Sequence, residues 1–235
     1  MSSLNNSQQS ERCFQKAAHV LENLGKVPII KEFRADPDSA NPALQLNVSV
    51  WNQSLLLRVK ELGDASISLW QQNHLVSAAI LTRCLLETVA LYYHIKTIIE
   101  DAINKARQVD EVAEELWRVG RGRDRRNLKL LYQGAPRTNR DYEAIEHKKF
   151  REALTQKSEA LKYTYSELSE YVHPNASGTS DAYANPNQKN LSFVFDGKFD
   201  HISRNVGYVL QFGVTLFEHC WSQMKKLIPQ FVETL

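Results

Sequence analysis

Residues 75–95 (LVSAAILTRCLLETVALYYHI) form an apolar stretch that contains one basic and one acidic side chain, Arg83 and Glu87. Because the two residues lie four apart, a helix places them side by side on one face. A charged side chain on a buried helix is costly unless it has a partner. The spacing therefore predicts an Arg–Glu pair within the core of a helical bundle.

Residues 165–175 (YSELSEYVHPN) repeat the four-residue spacing with a phenol, a hydroxyl and an imidazole. Tyr165, Ser169 and His173 fall on one helix face, and Pro174 disfavours helical backbone at the residue before it. We therefore expect this segment to be the C-terminal end of a helix, followed by a long loop rich in Ser, Asn, Asp, Gly and Pro.

If the two helices pack together, a guanidinium, a carboxylate, a phenol, a hydroxyl and an imidazole share one pocket. Such groups can perform general acid–base chemistry or bind an anion, because an imidazole can shuttle a proton and a guanidinium can neutralise a phosphate. The same groups also fit a structural role, in which the Arg–Glu pair fixes the helix register and the imidazole stabilises a helix C-terminus. The sequence leaves both interpretations open for the candidate catalytic residues, which are Arg83, Glu87, Tyr165, Ser169 and His173.

A second candidate site is the most basic stretch of the chain, residues 120–126 (GRGRDRR). Its arginines could contact a phosphate backbone, and its glycines would let backbone amides approach the same ligand. No aromatic residues for base stacking alternate with them, so a solvated loop at a helix entry is the alternative. The candidate nucleic-acid-binding residues are Arg121, Arg123, Arg125 and Arg126.

The composition narrows the class of protein. Of 235 residues, 43% are apolar and 24% charged, as in an average soluble domain, and a net charge of +2 implies no partner by itself. The scattered cysteines form no CxxC or Cys/His pattern, which predicts a reducing, cytoplasmic setting with no metal site and no cofactor. The polar start MSSLNNSQQSERC lacks the apolar region of a secretory signal. The charges at the centre of residues 75–95 argue against a membrane span, so no membrane partner is expected.

Hydrophobic periodicity is helical along nearly the whole chain, and a hairpin signal surrounds Asp196-Gly197. The fold class is predicted to be all-α, an antiparallel bundle of four or five main helices with one small β-hairpin. Residues 1–42 are expected to form an N-terminal helix and connector, and residues 43–235 the bundle, within a single domain overall. Helices are predicted over residues 11–24, 44–72, 75–106, 109–119, 124–132, 141–172 and 202–231, of which 11–24 and 109–119 are short.

An RCLLET-like helix followed by a YSELSEYVHPN-like helix end resembles a group of uncharacterised bacterial helical proteins, the DUF5677-like and HEPN-like families. In that group an Arg-x-x-x-Glu helix precedes a Tyr-x-x-Leu-Ser-x-x-x-His-Pro segment. The resemblance covers the two segments and the order of the helices between them. The resemblance implies an antiparallel α-bundle and an association with mobile elements or phage defence. It also implies that the five candidate catalytic residues correspond to the family's polar positions.

HEPN ribonucleases carry their Arg and His on one helix segment, with four to six residues between them. In this sequence Arg140 and His147 have that spacing, but their surroundings (RDYEAIEH) are typical of an exposed helix start. His173 has no arginine at that distance before it.

We therefore expect a cytoplasmic, HEPN-like helical module that binds or acts on RNA or nucleotides, in phage defence or a stress response. Whether it is an enzyme is left open by the sequence. The alternative is a non-catalytic scaffold for protein interactions, whose Arg/Glu/Tyr/His cluster is a structural polar core, and a small-molecule sensor is a third interpretation. A partner protein or a homodimer is compatible with each of these.

Overall fold

The computed structural model describes residues 6–34, 41–105, 107–120, 159–171, 185–187, 192–194 and 200–234. Helices account for most of these residues, so the predicted all-α class is confirmed. The helices are α1 (Asn6–Gly25), α2 (Pro42–Gln71), α3 (Leu75–Lys105), α4 (Val109–Gly120), α5 (Glu159–Glu170) and α6 (Asp200–Thr234). Two short strands, β1 (Asn185–Asn187) and β2 (Ser192–Val194), pair in antiparallel fashion.

The predicted hairpin about Asp196-Gly197 is not shown, because residues 195–199 lie outside the described ranges. In the structure β2 pairs with the upstream strand β1, so that Phe193 lies opposite Pro186.

The boundaries of α2 and α3 follow from local chemistry. The side chain of Asn41 caps α2 by accepting a hydrogen bond of 3.3 Å from the backbone N–H of Leu44, and Pro42 occupies the first turn, where no N–H is needed. Asn73 between the two helices has a φ of 61°, the left-handed conformation that Asn tolerates better than most residues. This tight turn reverses the chain and makes α2 and α3 a helical hairpin.

Polar contacts along the hairpin show that α2 and α3 run antiparallel. Ser66 bonds to Thr82 at 2.6 Å, while the hydroxyl of Tyr92 donates to the side-chain oxygen of Asn52 at 2.6 Å. As the residue number rises along one helix it therefore falls along the other.

Helix α1 packs antiparallel to α2 in the same way. The ring of Phe14 stacks on Trp70 with centroids 3.8 Å apart, and Leu21 lies against Gly63. A Cβ atom at Gly63 would come within 2.7 Å of both methyl groups of Leu21. Glycine is needed here because the two helices approach closely.

Helix α6 runs parallel to both α1 and α3, so the predicted antiparallel arrangement is wrong for this helix. Against α1, Ser203 bonds to Ser10 at 2.7 Å and Gly207 lies against Phe14, so both residue numbers rise together. Short loops force neighbouring helices to be antiparallel, whereas the long stretch of chain before α6 allows it to enter the bundle in either direction. Helix α6 also contacts α3 with both residue numbers rising together. Gly213 lies against Leu85, and Phe217 lies against Tyr92.

Helix α3 occupies the centre of the bundle, where it contacts α2, α4, α5 and α6. By length and composition it could cross a membrane, since an 18-residue window has a mean hydropathy of 1.6. More than half of that window, 56%, is buried inside the protein. A core helix has the same properties, so the prediction of no membrane partner stays a prediction.

Candidate functional site

The structure brings together three of the predicted site residues, Arg83 and Glu87 on α3 and Tyr165 on α5. The Nε of Arg83 donates to the hydroxyl of Tyr165 at 3.1 Å, and this hydroxyl donates to Oε1 of Glu87 at 2.6 Å. The same Oε1 lies 3.3 Å from Nη2 of Arg83. The three side chains therefore form a closed ring of polar contacts, which we call the α3–α5 triad.

The triad lies at the edge of the core. Tyr165 is 6% exposed, whereas the side chains of Arg83 and Glu87 keep 22% and 29% of their accessible surface. Partial burial disfavours the charged guanidinium, but the hydrogen bond to Tyr165 and the negative charge of Glu87 outweigh it and raise the pKa of Arg83 above its ordinary value. The guanidinium also lies over the Tyr165 ring, with Cζ 5.8 Å from the centroid.

Chemically, the triad is an arginine held in a fixed orientation. The Tyr165 phenol and the Glu87 carboxylate contact different nitrogens of the Arg83 guanidinium. The plane of the guanidinium is therefore fixed before any ligand binds. Such an arginine can present its remaining N–H groups to a phosphate or a carboxylate. The carboxylate of Glu87 opposes anion binding at the same place, because it already compensates the positive charge.

Ser169 does not extend the triad. It lies one turn after Tyr165 on α5, and its hydroxyl donates to the Tyr165 carbonyl at 2.9 Å. This i to i−4 bond directs the proton to the helix backbone. The hydroxyl of Ser169, a candidate catalytic residue, is therefore engaged by the helix backbone in this conformation.

The other sequence-predicted site residues cannot be placed relative to the triad. His173 lies beyond the end of the described α5 segment, and the arginines of residues 121–126 fall in the range between α4 and α5 that the structure does not describe. Arg140 and His147 also lie outside the described residues. Among the described residues, no group of three His, Cys, Asp or Glu side chains could hold a metal ion.

A second anchor of α5 was not predicted. The side-chain amide of Asn205 on α6 donates to Glu167, and Asn205 is buried. The triad and this bond together fix α5 to both α3 and α6. Glu167 and Asn205 carry no distinctive spacing, because the two residues meet through tertiary packing alone.

An open groove between α1 and α6 was also not predicted. It has a volume of about 660 Å³, and basic and amide side chains line it, including Arg12, Lys16 and His19 on α1 and Gln211 on α6. The spacing of the three basic residues, i, i+4 and i+7, places them on one face of a helix and is the signal that could have revealed the groove.

Comparison with protein-family models, curated proteins and solved structures finds no match to this chain.

Proposed function

We propose that the protein is a HEPN-like helical module that binds RNA or a nucleotide, and that Arg83 contacts a phosphate of this ligand. The observation that carries the proposal is the position of Arg83. Tyr165 and Glu87 hold its guanidinium at the contact of α3 with α5, yet 22% of its side chain stays accessible.

The orientation of the guanidinium supports phosphate binding. An arginine fixed in advance loses less side-chain entropy when it binds a ligand than a free one does. Arg83 can exchange its Nη2 contact with Glu87 for a contact with the ligand, since this distance of 3.3 Å is the longest in the triad. The hydroxyl of Tyr165 would remain bound to the carboxylate and preserve the arrangement.

A second candidate function is a non-catalytic scaffold in which the triad holds the helices together. It is favoured by the mutual contacts of the three side chains and by the burial of Tyr165. In that role the triad fixes the register of α5 against α3 and takes no part in binding.

Fluorescence anisotropy with a labelled single-stranded RNA, repeated over a range of salt concentrations, separates the two functions. In the binding module, Arg83→Met weakens RNA binding and lowers the slope of log affinity against log salt by about 0.7, the value for one lost phosphate contact on a single strand. Arg58→Met is the matched control, because Arg58 also donates to α3, through Thr88 at 3.1 Å, but lies outside the triad.

The thermal melting of the same variants completes the test. A scaffold predicts that Arg83→Met lowers the melting temperature and leaves any RNA affinity at the level of Arg58→Met. Absence of RNA and nucleotide binding by the unaltered protein would refute the binding function. The same titration with Arg121, Arg123, Arg125 and Arg126 replaced by glutamine tests the basic segment separately.

A further inference from the structure

The groove between α1 and α6 is a second place where positive charge collects, on helices other than those of the triad. Arg12, Lys16 and His19 line one wall, and all three are exposed. Gln211 and Thr215 line the opposite wall and add neutral hydrogen-bonding groups. Among the described residues that line the groove there is no carboxylate.

Nearby carboxylates are engaged elsewhere. Glu11 accepts a hydrogen bond of 3.0 Å from the amide of Gln15, and Glu22 pairs with Lys26 at 3.1 Å. Arg12 and Lys16 stand at the i,i+4 spacing, where like charges repel each other on a helix. An anion between them would remove this repulsion.

The spacing of the cations sets the size of the anion. A helix rises 1.5 Å per residue, so Arg12 and Lys16 lie about 6 Å apart along α1. Two cations one helical turn apart can contact neighbouring phosphates of one linear polyphosphate group. A groove of about 660 Å³ is also within the usual range for a small-molecule site.

We propose that this groove binds the linear polyphosphate group of a nucleotide, with Arg12 and Lys16 as its cationic groups. A single-stranded RNA fits less well, because strand-binding grooves use aromatic side chains to stack bases and the described lining has none. The site goes beyond the function proposed for the triad, and either site can exist without the other.

Isothermal titration with inorganic triphosphate, and then with ATP, tests the proposal on the whole chain. Both ligands should bind, and Arg12→Gln or Lys16→Gln should each weaken binding about five- to tenfold, as expected for the loss of one charge-assisted contact at a partly open site. Gln211→Glu places a negative charge on the opposite wall with little change of shape, so it should also weaken binding.

Lys105→Gln is the matched control, because Lys105 is an exposed lysine at the end of α3 and pairs with Asp101. It should bind triphosphate like the unaltered protein, whereas any binding that Arg83→Met removes belongs to the triad and not to the groove. The proposal is overturned if triphosphate does not bind at millimolar concentration, or if Lys16→Gln and Lys105→Gln behave alike. Tighter binding of a ten-nucleotide oligouridine than of ATP, lost in the same groove variants, would also overturn it in favour of an RNA strand.

Discussion

Replacing Glu87 by alanine removes the acceptor that both Arg83 and Tyr165 use. Tyr165 is almost fully buried, so its hydroxyl loses a charged partner at 2.6 Å with little access to water. A hydrogen bond to a charged group contributes about 1.5–3 kcal/mol, and a partly exposed i,i+4 ion pair about 0.5 kcal/mol. We therefore expect Glu87→Ala to lower the free energy of unfolding by about 2–3.5 kcal/mol.

This value is smaller than the cost of breaking a fully buried ion pair, which is about 3–5 kcal/mol. The difference arises because the side chains of Arg83 and Glu87 keep 22% and 29% of their accessible surface, so water can solvate the guanidinium that remains. Replacing Arg83 and Glu87 together by methionine should cost less than Glu87→Ala, since neither charge is then left without its partner.

Urea unfolding followed by circular dichroism measures these differences. Asp101→Ala is the matched control on the same helix, because the Lys105–Asp101 pair has the same i,i+4 geometry with side chains that are 65% and 41% exposed. It should change stability by less than about 0.5 kcal/mol. A double-mutant cycle of Glu87→Ala with Tyr165→Phe should give a coupling energy of about 1.5 kcal/mol. A Glu87→Ala protein as stable as Asp101→Ala, or a coupling energy near zero, would refute the energetic role of the triad.

Two further predictions concern the core. Gly63→Ala should destabilise the protein by about 1–2 kcal/mol in urea unfolding although alanine favours helices, because the new Cβ would lie 2.7 Å from the methyl groups of Leu21; an equal or higher stability would contradict this close approach. Burial lowers the pKa of His94 in the folded protein, and the charge of Glu115 only partly opposes this, so the unfolded chain takes up the proton first as pH falls. Stability should therefore fall as pH drops below about 6.5, and less so in His94→Gln; equal pH profiles would refute the effect.

The helices of the N-terminal half were predictable because their signals are local. The helices predicted over residues 44–72 and 75–106 leave Asn73 and His74 between them, and the structure places Asn73 in a left-handed conformation there. The helix predicted over residues 44–72 corresponds to Pro42–Gln71, whose start is set by Asn41 and Pro42. The proximity of Arg83 to Tyr165 was also inferable, since a charged pair on an apolar helix requires a polar partner.

What the sequence did not reveal depends on contacts between distant residues. Gly63 on α2 admits Leu21 of α1, and this close approach is a property of two helices at once. The direction of α6 could not be read from its own amphipathic pattern, because that pattern is the same for parallel and antiparallel packing. The basic face of α1 can be read from its own spacing, but the groove exists only because α6 packs beside it.

The late position of α6 in the chain has a consequence for the protein during its synthesis, because α6 packs on both α1 and α3. Helices α1, α2 and α3 leave the ribosome before α6 and can pair with one another first. The faces of α1 and α3 that Gly207 and Gly213 approach remain exposed to water until α6 has been synthesised. The growing chain therefore carries an open apolar surface for much of its synthesis, and this surface is a natural contact for chaperones that hold nascent chains.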